Sequence, residues 1–105
     1  MAYEEVLTAL SDPTRRAIVE ALRASPQPVG RIAAGLPVSR PAVSQHLRVL
    51  SDAGLVEAET RGTARIYRLA PGGADSLRAY LDRLWDDALA AYVREAHRIA
   101  KESPT

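Results

Sequence analysis

Apolar residues recur at helical spacing through most of the chain. Val6, Leu7 and Leu10 set a first helix over Tyr3 to Leu10, and Asp12-Pro13 then supplies a cap followed by proline at the first helical position. The second helix carries Ala17, Ile18, Ala21 and Leu22 as its apolar stripe and stops at the breaker cluster Ser25-Pro26-Gln27-Pro28. A short third helix runs from about Val29 to Ala34, with Gly35 as its stop and Pro37-Val38 leading into a tight turn. Ser39 caps a fourth, in which Val43, Leu47 and Leu50 fall at i, i+4 and i+7 and so define the buried face. Arg40, Pro41, Ser44, Gln45 and Arg48 lie around its other side.

Past Gly54 the period changes from helical to alternating. Leu55 to Thr60 and Arg65 to Leu69 read as two short strands joined through a loop containing Gly62, which can take the positive φ such turns need. Pro71-Gly72-Gly73 then separates this hairpin from a last helix over about 74–100, beyond which Ser103-Pro104-Thr105 is expected to fray. At 1.5 Å per residue that helix would be roughly 40 Å long. Its apolar arc includes Leu81, Leu84, Trp85, Ala88, Leu89 and Tyr92 and is too wide to be covered by one small body. A symmetric dimer, in which this helix and the first one (with Val6 and Leu7) pack against their copies, accounts for it. Trp85 and Tyr92 accordingly read as packing residues and not as the lining of an effector pocket.

Composition narrows the function. A chain of 105 residues has room for one domain, so 1–105 is read as a single unit: 1–10 and 74–100 as dimerisation helices, 29–53 as a helix-turn-helix and 55–69 as a wing. The absence of cysteine excludes disulfides, thiolate chemistry and Cys-based metal sites. No apolar run approaches the roughly 18 residues of a membrane span, and acidic Glu4 and Glu5 stand where a secretory leader would be basic, so the expected location is cytoplasmic. The net charge of +1 hides an asymmetry: residues 1–12 carry −3, residues 13–70 carry +5 and residues 71–105 carry −1. Thirteen of the fourteen basic residues are arginine, whose planar fork suits phosphates and guanine edges.

Two short helices joined by a tight turn, followed by an arginine-bearing hairpin, form a winged helix-turn-helix in outline. The fold expected is therefore mainly α with a small β-hairpin: five helices, a two-stranded wing, and a dimer through the first and last helices. The major groove of B-DNA admits a helix and displays patterns that Arg and Gln side chains read. Arg40, Pro41, Ser44, Gln45 and Arg48 are the candidate contacts on the fourth helix, with Arg61, Thr63 and Arg65 on the wing. His46 is a further candidate, although it projects toward the buried edge and suits a packing role equally well. Arg15 and Arg16 begin a helix, where the macrodipole disfavours cations; either a functional purpose or pairing with Glu4, Glu5 or Asp12 would offset that. An enzyme is not supported, since Ser44 and His46 cannot face each other two residues apart on a helix and no phosphate loop is present. The competing reading is a winged-helix protein-interaction module without specific DNA binding.

The stretches Ala9-Leu10-Ser11-Asp12-Pro13-Thr14-Arg15-Arg16 and Ser44-Gln45-His46-Leu47-Arg48-Val49-Leu50-Ser51-Asp52-Ala53-Gly54-Leu55-Val56 together resemble the ArsR/SmtB family of bacterial winged-helix repressors, over about residues 3–100. The resemblance implies a homodimer that binds double-stranded DNA at a pseudo-palindromic operator and often controls its own operon. The chain departs from the metal-sensing members. Its third helix, Val29-Gly30-Arg31-Ile32-Ala33-Ala34, lacks the thiolates of one sensor type. Asp82, Asp86, Asp87, Glu95 and the lone His97 of the last helix do not reproduce the carboxylate and histidine spacing of another. The chain instead resembles the metal-independent branch, whose members frequently lack a known small-molecule effector; no metal site and no cofactor are expected, and an effector is left open.

Overall fold

A computed structural model of the chain describes residues 2–102; the Ser103-Pro104-Thr105 tail lies outside them. Its elements in order are α1 (Tyr3–Leu10), α2 (Pro13–Ala24), β1 (Gln27–Pro28), α3 (Val29–Ala34), α4 (Arg40–Asp52), β2 (Val56–Arg61), β3 (Ala64–Leu69) and α5 (Asp75–Glu102). The helix starts follow the capping chemistry. Asp12 accepts the Arg15 backbone N–H at 2.9 Å ahead of α2, and Ser39 accepts that of Ala42 at 3.3 Å ahead of α4. Each of these two helices also has proline in its first turn, where the missing donor costs nothing.

The sheet has three strands, not two. β2 and β3 form the expected antiparallel hairpin, pairing Val56 with Leu69 through Arg61 with Ala64. The turn is Gly62-Thr63, and Gly62 takes φ +62°. The third strand comes from the supposed breaker cluster, where Gln27 pairs with Tyr67 and Pro28 with Ile66, giving the order β1-β3-β2. Proline is tolerated there because β1 is an edge strand. The Gln27 side-chain amide fastens the segment further by donating to the Ala21 carbonyl at 2.9 Å.

The core lies between α1, α2, α3, α4 and the root of the wing. Ile18, Ile32, Val43, Leu47 and Leu50 are fully enclosed, as the helical stripes of the sequence require. Val6 is also completely enclosed, at 0% exposure. This corrects its expected place in a dimer interface: α1 turns Val6 and Ala9 inward, and of the two interface candidates it carries, only Leu7 remains exposed. Where the wing leaves for α5, the Ala70 N–H donates to the Leu55 carbonyl at 2.9 Å and the Gly73 N–H to that of Ala70 at 3.0 Å. The Gly73 backbone approaches so closely that a Cβ there would stand 2.5 Å from the Gly54 carbonyl oxygen.

Helix α5 leaves the body. Tyr3 stacks on Tyr80 near its start and Leu77 packs on the core, but no residue of the helix is fully buried. The molecule measures 74 × 25 × 22 Å with a radius of gyration of 20.2 Å. A compact chain of this length would have a radius near 13 Å, so the difference is the projecting rod. Trp85 is 64% exposed and Tyr92 73%, in line with Leu81, Leu84 and Leu89. No helix among the described residues is long and apolar enough to cross a membrane.

Candidate nucleic-acid interface

Helix α4 is held by its apolar face and offers the other to solvent. Val43, Leu47 and Leu50 are sealed in the core, whereas Arg40, Pro41, Ser44, Gln45 and Arg48 are all exposed. At the N-terminal end the Arg40 guanidinium lies across α3, its Nη1 being 3.6 Å from where a Cβ on Gly30 would sit.

Alternation along β3 brings the wing to the same surface. Arg65 and Tyr67, two apart and so on one side of the strand, line a groove of about 320 Å³ whose opposite wall is Ser44, Arg48, Ser51 and Asp52 of α4. The Arg65 guanidinium carbon stands 5.6 Å from the centre of the Tyr67 ring, within cation–π range. Arg61 is occupied differently: its Nε donates to Glu59 Oε1 at 2.9 Å along the same strand. Thr63 sits exposed in the turn between them. The sequence reading missed Tyr67, Ser51 and Asp52 as groove residues. The Arg-x-Tyr spacing on a strand was the signal that could have found the first, and Ser51 at i+7 from Ser44 the second.

His46 is the exception among the α4 candidates. Its side chain is 24% exposed and turns to the α1–α2 elbow, with Nδ1 3.4 Å from Arg15 Nη1 and 4.0 Å from Asp12 Oδ2. The two arginines that open α2 also face this elbow. Arg15 donates to the Ala9 and Thr8 carbonyls at 2.6 and 3.2 Å, and Arg16 to those of Leu10 and Ser11 at 2.8 and 3.0 Å. Cations poorly placed for their own helix are thus well placed for the carbonyl end of the preceding one. The Asp12 carboxylate is held below its ordinary pKa, chiefly by the Arg15 backbone N–H it accepts.

The interface candidates on α5, namely Leu81, Leu84, Trp85, Ala88, Leu89 and Tyr92, all lie exposed on the rod, and Leu7 is exposed on α1. Of the carboxylates on α5, Glu95 is engaged by Arg98, which also reaches Glu102. Among the described residues no cluster of three or more His, Asp or Glu side chains is arranged to hold a metal ion.

Residues 10–59 match the model of a helix-turn-helix domain family. Over 86 residues the chain is 56% identical to the HTH-type transcriptional regulator Rv2034 of Mycobacterium tuberculosis, covering 82% of this chain and 80% of the relative. Among solved structures, an ArsR-like transcriptional regulator from Rhodococcus sp. RHA1 superposes with a TM-score of 0.76 at 36% identity, covering 90% of this chain and 92% of that one. The homodimeric winged helix-turn-helix DNA-binding domain of Mb0332 from Mycobacterium bovis superposes with a TM-score of 0.64 at 28% identity, over 97% of this chain and 86% of that one. With identity and backbone superposition extending over most of both chains, the chain belongs to the ArsR/SmtB family of winged helix-turn-helix transcriptional regulators.

Proposed function

We propose that this chain acts as a homodimeric, sequence-specific DNA-binding repressor, working in the cytoplasm on a pseudo-palindromic operator of its own or a neighbouring operon. The observation that carries the reading is the shared groove: Ser44 and Arg48 of α4 on one wall and Arg65 with Tyr67 of the wing on the other. A helix entering the major groove from this surface brings the wing arginines to the flanking phosphates or minor groove. Arg40, Ser44, Gln45 and Arg48 then read bases or fix the helix, and Arg61, Thr63 and Arg65 hold the wing. The homodimeric Mb0332 domain supports self-association, as does the apolar stripe exposed along α5. Repression follows by occlusion of the promoter, and no catalytic step enters the reading.

Fluorescence anisotropy with the DNA upstream of the gene tests it. Specific binding is expected, weakening by about 0.9 log–log units of salt per phosphate contact. Equal affinity for unrelated DNA at moderate salt would favour the protein-interaction module instead. Light scattering at micromolar concentration is expected to give about twice the chain mass of 11.4 kDa.

A further inference from the structure

Arg15 ties the consecutive helices α1 and α2 to α4, which is remote in sequence. From the first turn of α2 its guanidinium spans the last carbonyls of α1, those of Thr8 and Ala9, and its Nη1 reaches the imidazole of His46 on α4. An arginine only donates, so the contact is a hydrogen bond in the neutral tautomer of His46 that carries its proton on Nε2 and accepts at Nδ1. Asp12 holds the same elbow from its other side through the Arg15 backbone N–H. α1 is in turn stacked on the root of α5 through Tyr3 and Tyr80. A continuous line of contacts therefore runs from α5 through α1 and Arg15 to His46, in the middle of the helix that faces DNA.

We infer that Arg15 and His46 form a strut that fixes the angle of α4 against α1, making His46 a positioning residue for operator recognition and not itself a DNA contact. The inference rests on the repressor reading above and adds a specific consequence. In a dimer joined through α1 and α5, the strut sets the separation and tilt of the two α4 helices, and so how strictly the protein demands one spacing of half-sites. One added base pair turns a half-site by roughly 35° about the duplex axis, which a rigid pair of helices cannot follow.

The geometry of two amides supplies the test. The asparagine side-chain amide ends where Nδ1 of histidine lies, and that of glutamine ends near Nε2. His46→Asn can therefore accept from Arg15 whereas His46→Gln cannot, although glutamine is the better helix former. The probe is the tightest-binding fragment from the upstream DNA, together with versions lengthened or shortened by one base pair between half-sites. The unmodified protein is expected to prefer the native spacing by about tenfold or more. His46→Asn should keep that preference, and His46→Gln should lose most of it while binding unrelated DNA within twofold of the original.

A measurement without DNA reads the same strut. The chain has no cysteine, so Ser51→Cys gives one spin-label site per subunit on α4. The label-to-label distance distribution across the dimer should be narrow in this background and with His46→Asn, and broad with His46→Gln. The inference is overturned if the two substitutions behave alike in both measurements, if the order follows helix propensity, or if both weaken binding to unrelated DNA as a lost phosphate contact would. A protein with no sequence preference at all would sink the repressor reading, and the spin-label widths would still decide the strut.

Discussion

Tyr3 and Tyr80 stack with their ring centres 4.0 Å apart and their planes 7° from parallel, which fastens the start of the projecting helix to the first helix of the chain. Little else holds α5 to the body beyond Leu77. A double-mutant cycle with Tyr3→Leu and Tyr80→Leu in urea denaturation should show a favourable coupling of roughly two- to tenfold in the folding equilibrium constant, the usual range for an aromatic pair. Independent, additive losses would mean that the rings contribute only area.

Arg61 is paired with Glu59, so in the proposed complex this carboxylate would compete with DNA for it. The wing arginine now pairs with this carboxylate, while Arg65 is directed over Tyr67 instead. Glu59→Gln should therefore tighten DNA binding several-fold at low salt, since a negative charge near the phosphates is removed and Arg61 is released. Arg65→Ala should weaken it and reduce the salt slope by about 1. Titrations of both variants against one duplex at several salt concentrations decide the matter, and an unchanged slope for Arg65→Ala would remove that residue from the interface.

Gly73 leaves no space for a side chain. A methyl there would press on the Gly54 and Ala70 carbonyls and on the Leu55 Cα, all of them backbone atoms that cannot swing aside. Gly73→Ala is expected to lower stability by about 1–3 kcal/mol, as overpacking does. A Cβ at Gly62 would meet nothing within 4 Å, so there the cost comes from its positive φ alone. Gly62→Asn, which tolerates that conformation, should then be milder than Gly62→Ala. Urea midpoints for the three variants supply the comparison.

Asp12 makes the fold sensitive to acid. Its carboxyl titrates lower in the folded chain than in the unfolded one, chiefly because it accepts the Arg15 N–H. The stability it contributes is fully present above the unfolded value near pH 4 and is lost as the pH falls through the lower folded value. Asp12→Asn keeps a capping oxygen but no charge. Its stability should lie below that of the original protein at neutral pH, with the gap closing as the solution is acidified below about pH 4. A gap independent of pH would assign the effect to shape.

The regular elements were legible because their signals are local. Asp12-Pro13, Ser39 with Pro41, and the alternation around Gly62 announce their own boundaries, and α1, α3 and α4 follow the expected ranges closely. What the sequence could not convey depended on partners distant along the chain. Gln27-Pro28 becomes a strand only because the edge of β3 is there to pair with it. Val6 and Leu7 are equivalent as apolar neighbours on a helix until the packing of α1 decides that one is enclosed and the other is not. His46 could be placed at the edge of the buried face, but the Arg15 side chain that meets it is 31 residues away. For the interface residues, residue type and helical phase indicated the exposed face of α4, whereas the pairing of that face with Tyr67 needed the wing in position.

The bare rod of α5 makes the finished particle a product of encounter. A lone copy must keep a row of indole, phenol and leucine side chains in water, and a second copy relieves both at once, so assembly rises with the square of the amount synthesised. In the proposed repressor this would act as a threshold: scarce chains would remain apart and leave the promoter open, and abundant ones would pair and close it. If the gene it silences is its own, the strength of pairing along that helix would help to set the level at which synthesis stops.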